Sequence, residues 1–151
     1  MIEWTTLLKS AGTYLALTLV HELGHVAAAV LGGISIRNVG AALLPVPHVY
    51  VQVGEISTAG REHLFFLSGP LVVIAVLAGG WAAGVLVVPS LYLAGAARLL
   101  LDGNPFFSDF TKMIDDYRYT AAWYAHLAIW GGGTIAIVRY YLFAVAPRGV
   151  S

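Results

Sequence analysis

The chain has no cysteine. Disulfides and thiolate metal sites are excluded, so a tightly held transition metal has only histidine and carboxylate ligands to draw on. Charge is scarce as well. Asp, Glu, Lys and Arg make up 11% of 151 residues, against about 25% in a soluble globular domain. The eight basic and eight acidic residues cancel. They are scattered, without a basic run, which speaks against nucleic-acid binding. What remains is apolar: 59% of the residues are hydrophobic, and no formal charge occurs from residue 64 to residue 97. This composition and length predict one integral membrane helical bundle, a single domain over 1–151. Ala27-Ala28-Ala29 has the look of a signal-peptide cleavage region, but Glu3 precedes Lys9 and the apolar core is interrupted, so an uncleaved segment is expected.

The interruption is His21-Glu22-Leu23-Gly24-His25. From about Ser10 to Leu31 every other residue is apolar, small or hydroxyl-bearing. An ionisable side chain at mid-bilayer costs roughly 2.5–3.5 kcal/mol on insertion scales, so such residues usually serve a function and face the bundle interior. Residues i and i+4 of a helix lie one above the other on one face. His21 and His25 can therefore grip one metal ion, while Glu22 reaches a water beside it without being a ligand. Gly24 lets another backbone or a substrate come close. The bland alternative is two histidines hydrogen-bonded to neighbouring helices, with Glu22 balancing them. That leaves a carboxylate in hydrocarbon without a gain.

Four spans are expected, over about 5–31, 61–88, 90–102 and 120–146. The first is about 40 Å long, enough to cross a core of roughly 30 Å with tilt. Gly32-Gly33 ends it. Between the first and second spans, residues 34–54 alternate apolar and polar at Ile34-Ser35-Ile36-Arg37 and at Val49-Tyr50-Val51-Gln52-Val53. That pattern predicts a small β-hairpin or sheet, with Pro45 and Pro47 outside the ladder. Pro89-Ser90 divides the second span from the third. Residues 106–116 interleave polar and apolar side chains and read as an interfacial segment. Basic residues flanking the spans favour, by a slight margin, a metal site in the cytoplasmic half of the membrane.

A catalytic zinc usually takes three protein ligands and one water. For the third ligand the candidates are Asp102, Asp109, Glu62, His63, His48 and His126. Asp102 leads, because apart from Glu22 it is the only carboxylate within a span. Its depth along the third span matches that of the histidines along the first. Arg98, one turn earlier, is its alternative partner, as an ion pair or as a support behind the ligand. Asn104, His48 and Val51 are candidates for touching substrate, and Ser68 for supporting the site from behind.

Taken together, His21-Glu22-Leu23-Gly24-His25 in a membrane helix, a glycine-bounded β segment, Ser68-Gly69-Pro70 and Leu101-Asp102-Gly103 resemble the site-2 protease family of intramembrane zinc metalloproteases. The resemblance covers about residues 15–116. The run from Asp102 to Asp109 looks like a branch of zinc proteases assigned to peptide maturation. The resemblance implies one Zn2+ per chain on His21, His25 and Asp102, with Glu22 catalytic. It implies a membrane protein or peptide as substrate and a multi-pass location in a prokaryotic cytoplasmic membrane. Two departures stand out: Ala96-Ala97-Arg98-Leu99 replaces an asparagine-proline stretch before the aspartate, and Asn104 replaces a second glycine after it. The rival expectation is a non-catalytic zinc-binding membrane protein, either an inactive relative or a metal carrier.

Overall fold

The computed structural model describes residues 4–42, 48–84, 88–106, 108–112 and 118–145. Helix α1 runs over Trp4–Gly32 and is followed by strands β1 (Ile36–Ala42) and β2 (His48–Val53). Helices α2 (Ala59–Ala82), α3 (Pro89–Asp102), α4 (Asp109–Lys112) and α5 (Ala121–Tyr140) complete the order. A π-helical turn, Tyr141–Val145, continues α5.

Three helices are long and apolar enough to cross a membrane: Trp4–Gly32, Ala59–Ala82 and Ala121–Phe143. Of the four expected spans, three thus coincide with helices of sufficient length and apolarity among the described residues. Helix α3 has 14 residues, about 21 Å at 1.5 Å per residue, which falls short of a hydrocarbon core of roughly 30 Å. The second span closes at Ala82 rather than 88. Gly84 turns with φ 73°, and residues 85–87 lie outside the described ones.

Helix α1 is central, packing against α2, α3 and β2. Its C-terminus shows why two glycines follow the apolar run. Gly33 takes φ 64°, its N–H donates to the Val30 carbonyl at 3.3 Å, and the Ile34 N–H donates to Ala29 at 2.8 Å. This is the Schellman arrangement, which satisfies the last carbonyls of a helix. Its hydrophobic partner contact is present too, since Ile34 clusters with Ala29 and Phe65. A second core cluster, Leu17, Val73, Leu77 and Ala94, ties α1, α2 and α3 together.

The expected β segment is present as a two-stranded antiparallel sheet, with Val39 opposite Val51 and Gly40 opposite Tyr50. The first strand begins two residues later than the alternation suggested and extends to Ala42. Tyr50 lies across Gly40, where a Cβ would collide with the ring. The proline break at 45 and 47 falls outside the described residues. Of the expected interfacial segment 106–116, positions 107 and 113–116 also lie outside the described residues, and Asp109–Lys112 is helical.

Helix starts follow local chemistry. The Thr58 hydroxyl accepts from the Arg61 N–H at 3.4 Å, and Glu62 sits in the first turn of α2, where the helix dipole favours an acid. Pro89 opens α3, where its missing N–H is no loss. Thr120 caps α5 by accepting from the Trp123 N–H at 3.1 Å.

Candidate metal centre

His21 and His25 are 2% and 4% exposed on the inner face of α1. Their rings meet edge to face with centroids 4.7 Å apart, and their Nε2 atoms lie 3.0 Å from each other. The third group is Asp109, at the start of α4. Its Oδ2 is 3.0 Å from Nε2 of His21 and 3.1 Å from Nε2 of His25. The three residues form a group able to hold a metal ion.

The other ring nitrogens face the protein. Nδ1–H of His25 donates to the Phe65 carbonyl of α2 at 2.7 Å. Ser68 donates to the same carbonyl at 2.6 Å, and its hydroxyl lies 3.4 Å from that Nδ1. Nδ1 of His21 is buried 3.2 Å from Oδ1 of Asp102, at ion-pair distance but without the alignment of a hydrogen bond. Metal-binding histidines commonly turn one nitrogen to a carbonyl or carboxylate in this way, which fixes the ring and leaves the other lone pair for the ion.

Asp102 therefore sits differently from its expected place as third ligand. It lies behind His21, on the Nδ1 side, and Asp109 meets both Nε2 atoms instead. The reason lies in the path of the chain. Arg98, one turn before Asp102 and 8% exposed, engages both carboxylate oxygens, with Nε 3.1 Å from Oδ2 and a second nitrogen on Oδ1. Its remaining nitrogen reaches Thr18 of α1 at 3.5 Å. Helix α3 stops there, Gly103 caps it, and the turn through Asn104 and Pro105 returns the chain to the histidines at Asp109. Of the two alternatives weighed for Asp102, the ion pair with Arg98 is present, and its carboxylate lies on the Nδ1 side of His21 rather than among the Nε2 atoms.

Two glycines make room. Helices α1 and α2 cross where Gly24 meets the backbone of Ser68 and Gly69; a Cβ on Gly24 would stand 2.6 Å from the Ser68 carbonyl oxygen. A Cβ on Gly69 would stand 2.6 Å and 2.7 Å from the Nε2 atoms of His25 and His21. Any residue but glycine at 69 would fill the space those nitrogens converge on.

The donor set suits zinc: two imidazole nitrogens and one carboxylate oxygen are a known ligand set for a catalytic ion with a position left for water. Ligand atoms around a tetrahedral zinc with bonds of about 2.0–2.1 Å stand roughly 3.3 Å apart. The observed triangle has edges of 3.0, 3.0 and 3.1 Å, within a small side-chain adjustment of that.

Glu22 completes the site, with Oε1 4.0 Å from Nε2 of His21. It lines a cavity of about 420 Å3 together with the two histidines, Asp109, Tyr14 and Phe66. His48, Val49, Tyr50 and Val51 form its β wall. Asn104 does not line this cavity. It is 3% exposed and braces the turn, donating to Leu101 at 3.1 Å and accepting from the Phe106 N–H at 2.8 Å. Glu62, His63 and His126 also lie off the cavity wall. Sequence reasoning passed over Tyr14, Phe66 and the Phe65 carbonyl, which carry no chemical signature of their own. No protein-family model matches the chain, and no curated protein or solved structure matches it.

Proposed function

We propose that this chain is a membrane-embedded zinc metalloprotease of the site-2 type, cutting a peptide bond in a membrane-spanning or membrane-associated substrate. The observation that carries the reading is the convergence of Nε2 of His21, Nε2 of His25 and Oδ2 of Asp109 beside a cavity that Glu22 also faces. His21, His25 and Asp109 would hold one zinc ion per chain. When bound, zinc supplies Lewis acidity, polarising a carbonyl and acidifying water toward a pKa of about 7.

The chain's own groups do the rest. Glu22 is placed to accept a proton from water at its carboxylate and to return it to the departing amine nitrogen. The Phe65 carbonyl and the Asp102–Arg98 pair keep both imidazoles turned so that Nε2 faces inward. The β wall suits an extended substrate. Four consecutive residues, 48–51, border the cavity, so the strand presents its edge as well as one face. Among the described residues β2 pairs on one side only, with β1. A peptide added along the other edge would have its carbonyls freed from helical hydrogen bonding. Membrane placement is supported by the three long apolar helices and by outward-facing Leu23, Leu31, Leu71 and Ile129.

The test uses full-length protein co-expressed with candidate membrane peptides. Glu22→Gln is expected to retain zinc and lose cleavage, and to co-purify with uncut substrate. Undiminished cleavage by Glu22→Gln would remove the proposed role. A wild-type protein that binds zinc yet cuts nothing that the Glu22→Gln variant traps would favour a non-catalytic zinc-binding protein.

A further inference from the structure

Helix α5 is the least embedded of the long helices. Trp123 is its one buried side chain among the described residues, while Ile129, Ile135 and Val138 face outward. Yet one face of α5 makes a row of polar contacts to a single short stretch of chain. Nε1–H of Trp123 donates to the Pro105 carbonyl at 2.8 Å, Nε2–H of His126 to Gly103 at 2.7 Å, and Nε1–H of Trp130 to Leu100 at 2.9 Å. Positions 123, 126 and 130 follow the three-and-four spacing of one helix face. Just before the helix, the Arg118 guanidinium donates to the Phe106 carbonyl, and the Phe106 ring meets Trp123 edge to face at 5.7 Å.

The acceptors are not arbitrary. The last carbonyls of a helix have no partner inside it, and Leu100 is in the last turn of α3. Asn104 braces the same turn from within, and Pro105 is fully buried. The stretch so held joins Asp102 to Asp109, the two carboxylates that stand on opposite sides of the His21 ring. Its position therefore decides whether Asp109 reaches both Nε2 atoms. Trp123, His126 and Trp130 do not line the cavity; they reach the site through the backbone they hold.

We propose that α5 is a positioning clamp for the metal centre, with Trp123, His126 and Trp130 fixing residues 100–106 so that Asp109 meets His21 and His25. This rests on the metal reading above. The clamp makes the third ligand depend on the docking of α5, so any partner or lipid change that shifts α5 shifts metal affinity.

The experiment uses the full chain in lipid nanodiscs. His126→Met removes the donor at similar size, and His126→Gln keeps an N–H donor. Trp123→Phe and Trp130→Phe remove the indole N–H and keep a ring. Cobalt(II) titration followed by visible absorption reports affinity and ligand field, and amide hydrogen exchange reports the backbone of residues 99–112. The expected result is about 10–100-fold weaker cobalt binding, the usual effect of removing an outer support of a metal ligand. The three donor-deleted variants should also show an altered absorption spectrum and faster exchange at 103–106, with α1 and α2 still protected. His126→Gln should recover most of the affinity. Unchanged cobalt affinity and spectrum in all three would overturn the clamp, as would a uniform loss of protection across α1 and α2. A wild-type protein that takes up no cobalt contradicts the metal reading itself, whereas wild-type uptake with indistinguishable variants contradicts only the role of α5.

Discussion

His21 and His25 each turn Nδ1 toward the protein, and this division of labour sets the expectations at the residue scale. Asp109→Asn should weaken zinc binding more than Asp102→Asn. On the proposed metal reading the first would remove an ion ligand and the second a support, worth about 10–100-fold in affinity. Zinc titration of the two purified variants ranks them. Gly69→Ala should abolish metal binding, because its methyl would stand 2.6 Å from Nε2 of His25. It should also cost about 1–3 kcal/mol of stability through overpacking. Thermal unfolding and metal content together check both effects. Arg98→Met should destabilise by about 3–5 kcal/mol, since it leaves the Asp102 carboxylate buried and uncompensated. The double variant Arg98→Met, Asp102→Asn should recover much of that loss in the same unfolding assay.

At the scale of elements, legibility in the sequence divides sharply. Two histidines four residues apart on a helix are a local fact, so their shared face and Glu22 beside them could be read directly. The β pair was equally local, because period-two alternation with β-branched residues specifies a strand. The end of α1 was legible for the same reason: Gly33 takes the left-handed φ that the cap needs. Gly33→Ala should cost about 1 kcal/mol for that conformation, measurable as a lowered melting temperature with metal content retained. The carboxylate that meets the two Nε2 atoms was different. Choosing Asp102 over Asp109 rested on its being, apart from Glu22, the only carboxylate within an expected span, at a matching depth. The outcome depended on where Arg98 found room and how the chain turned after Gly103, both tertiary facts. The role of α5 was hidden likewise, because indole and imidazole donors reach backbone carbonyls whose location no periodicity announces. The shortness of α3 was within reach: Pro89 and Asp102-Gly103 bound only about fourteen residues, too few to cross alone.

For the whole molecule, the design is one central helix that carries the histidines and is gripped from both sides. The Leu17, Val73, Leu77 and Ala94 cluster joins α1 to α2 and α3 without using any metal-site residue. Removing zinc should therefore leave helix content unchanged by circular dichroism, unlike a zinc finger that unfolds without its ion. Val73→Ala, at a fully buried position in that cluster, should cost roughly 1–3 kcal/mol by the transfer and cavity terms for a deleted core group. The most direct measurement is zinc K-edge X-ray absorption on the purified full-length protein, with metal stoichiometry determined on the same sample. The expected result is one zinc per chain, with two imidazole nitrogens and a carboxylate oxygen in its shell, and with that histidine signal lost in His21→Ala. Substoichiometric zinc without imidazole scattering, or a shell unchanged by His21→Ala, would contradict it.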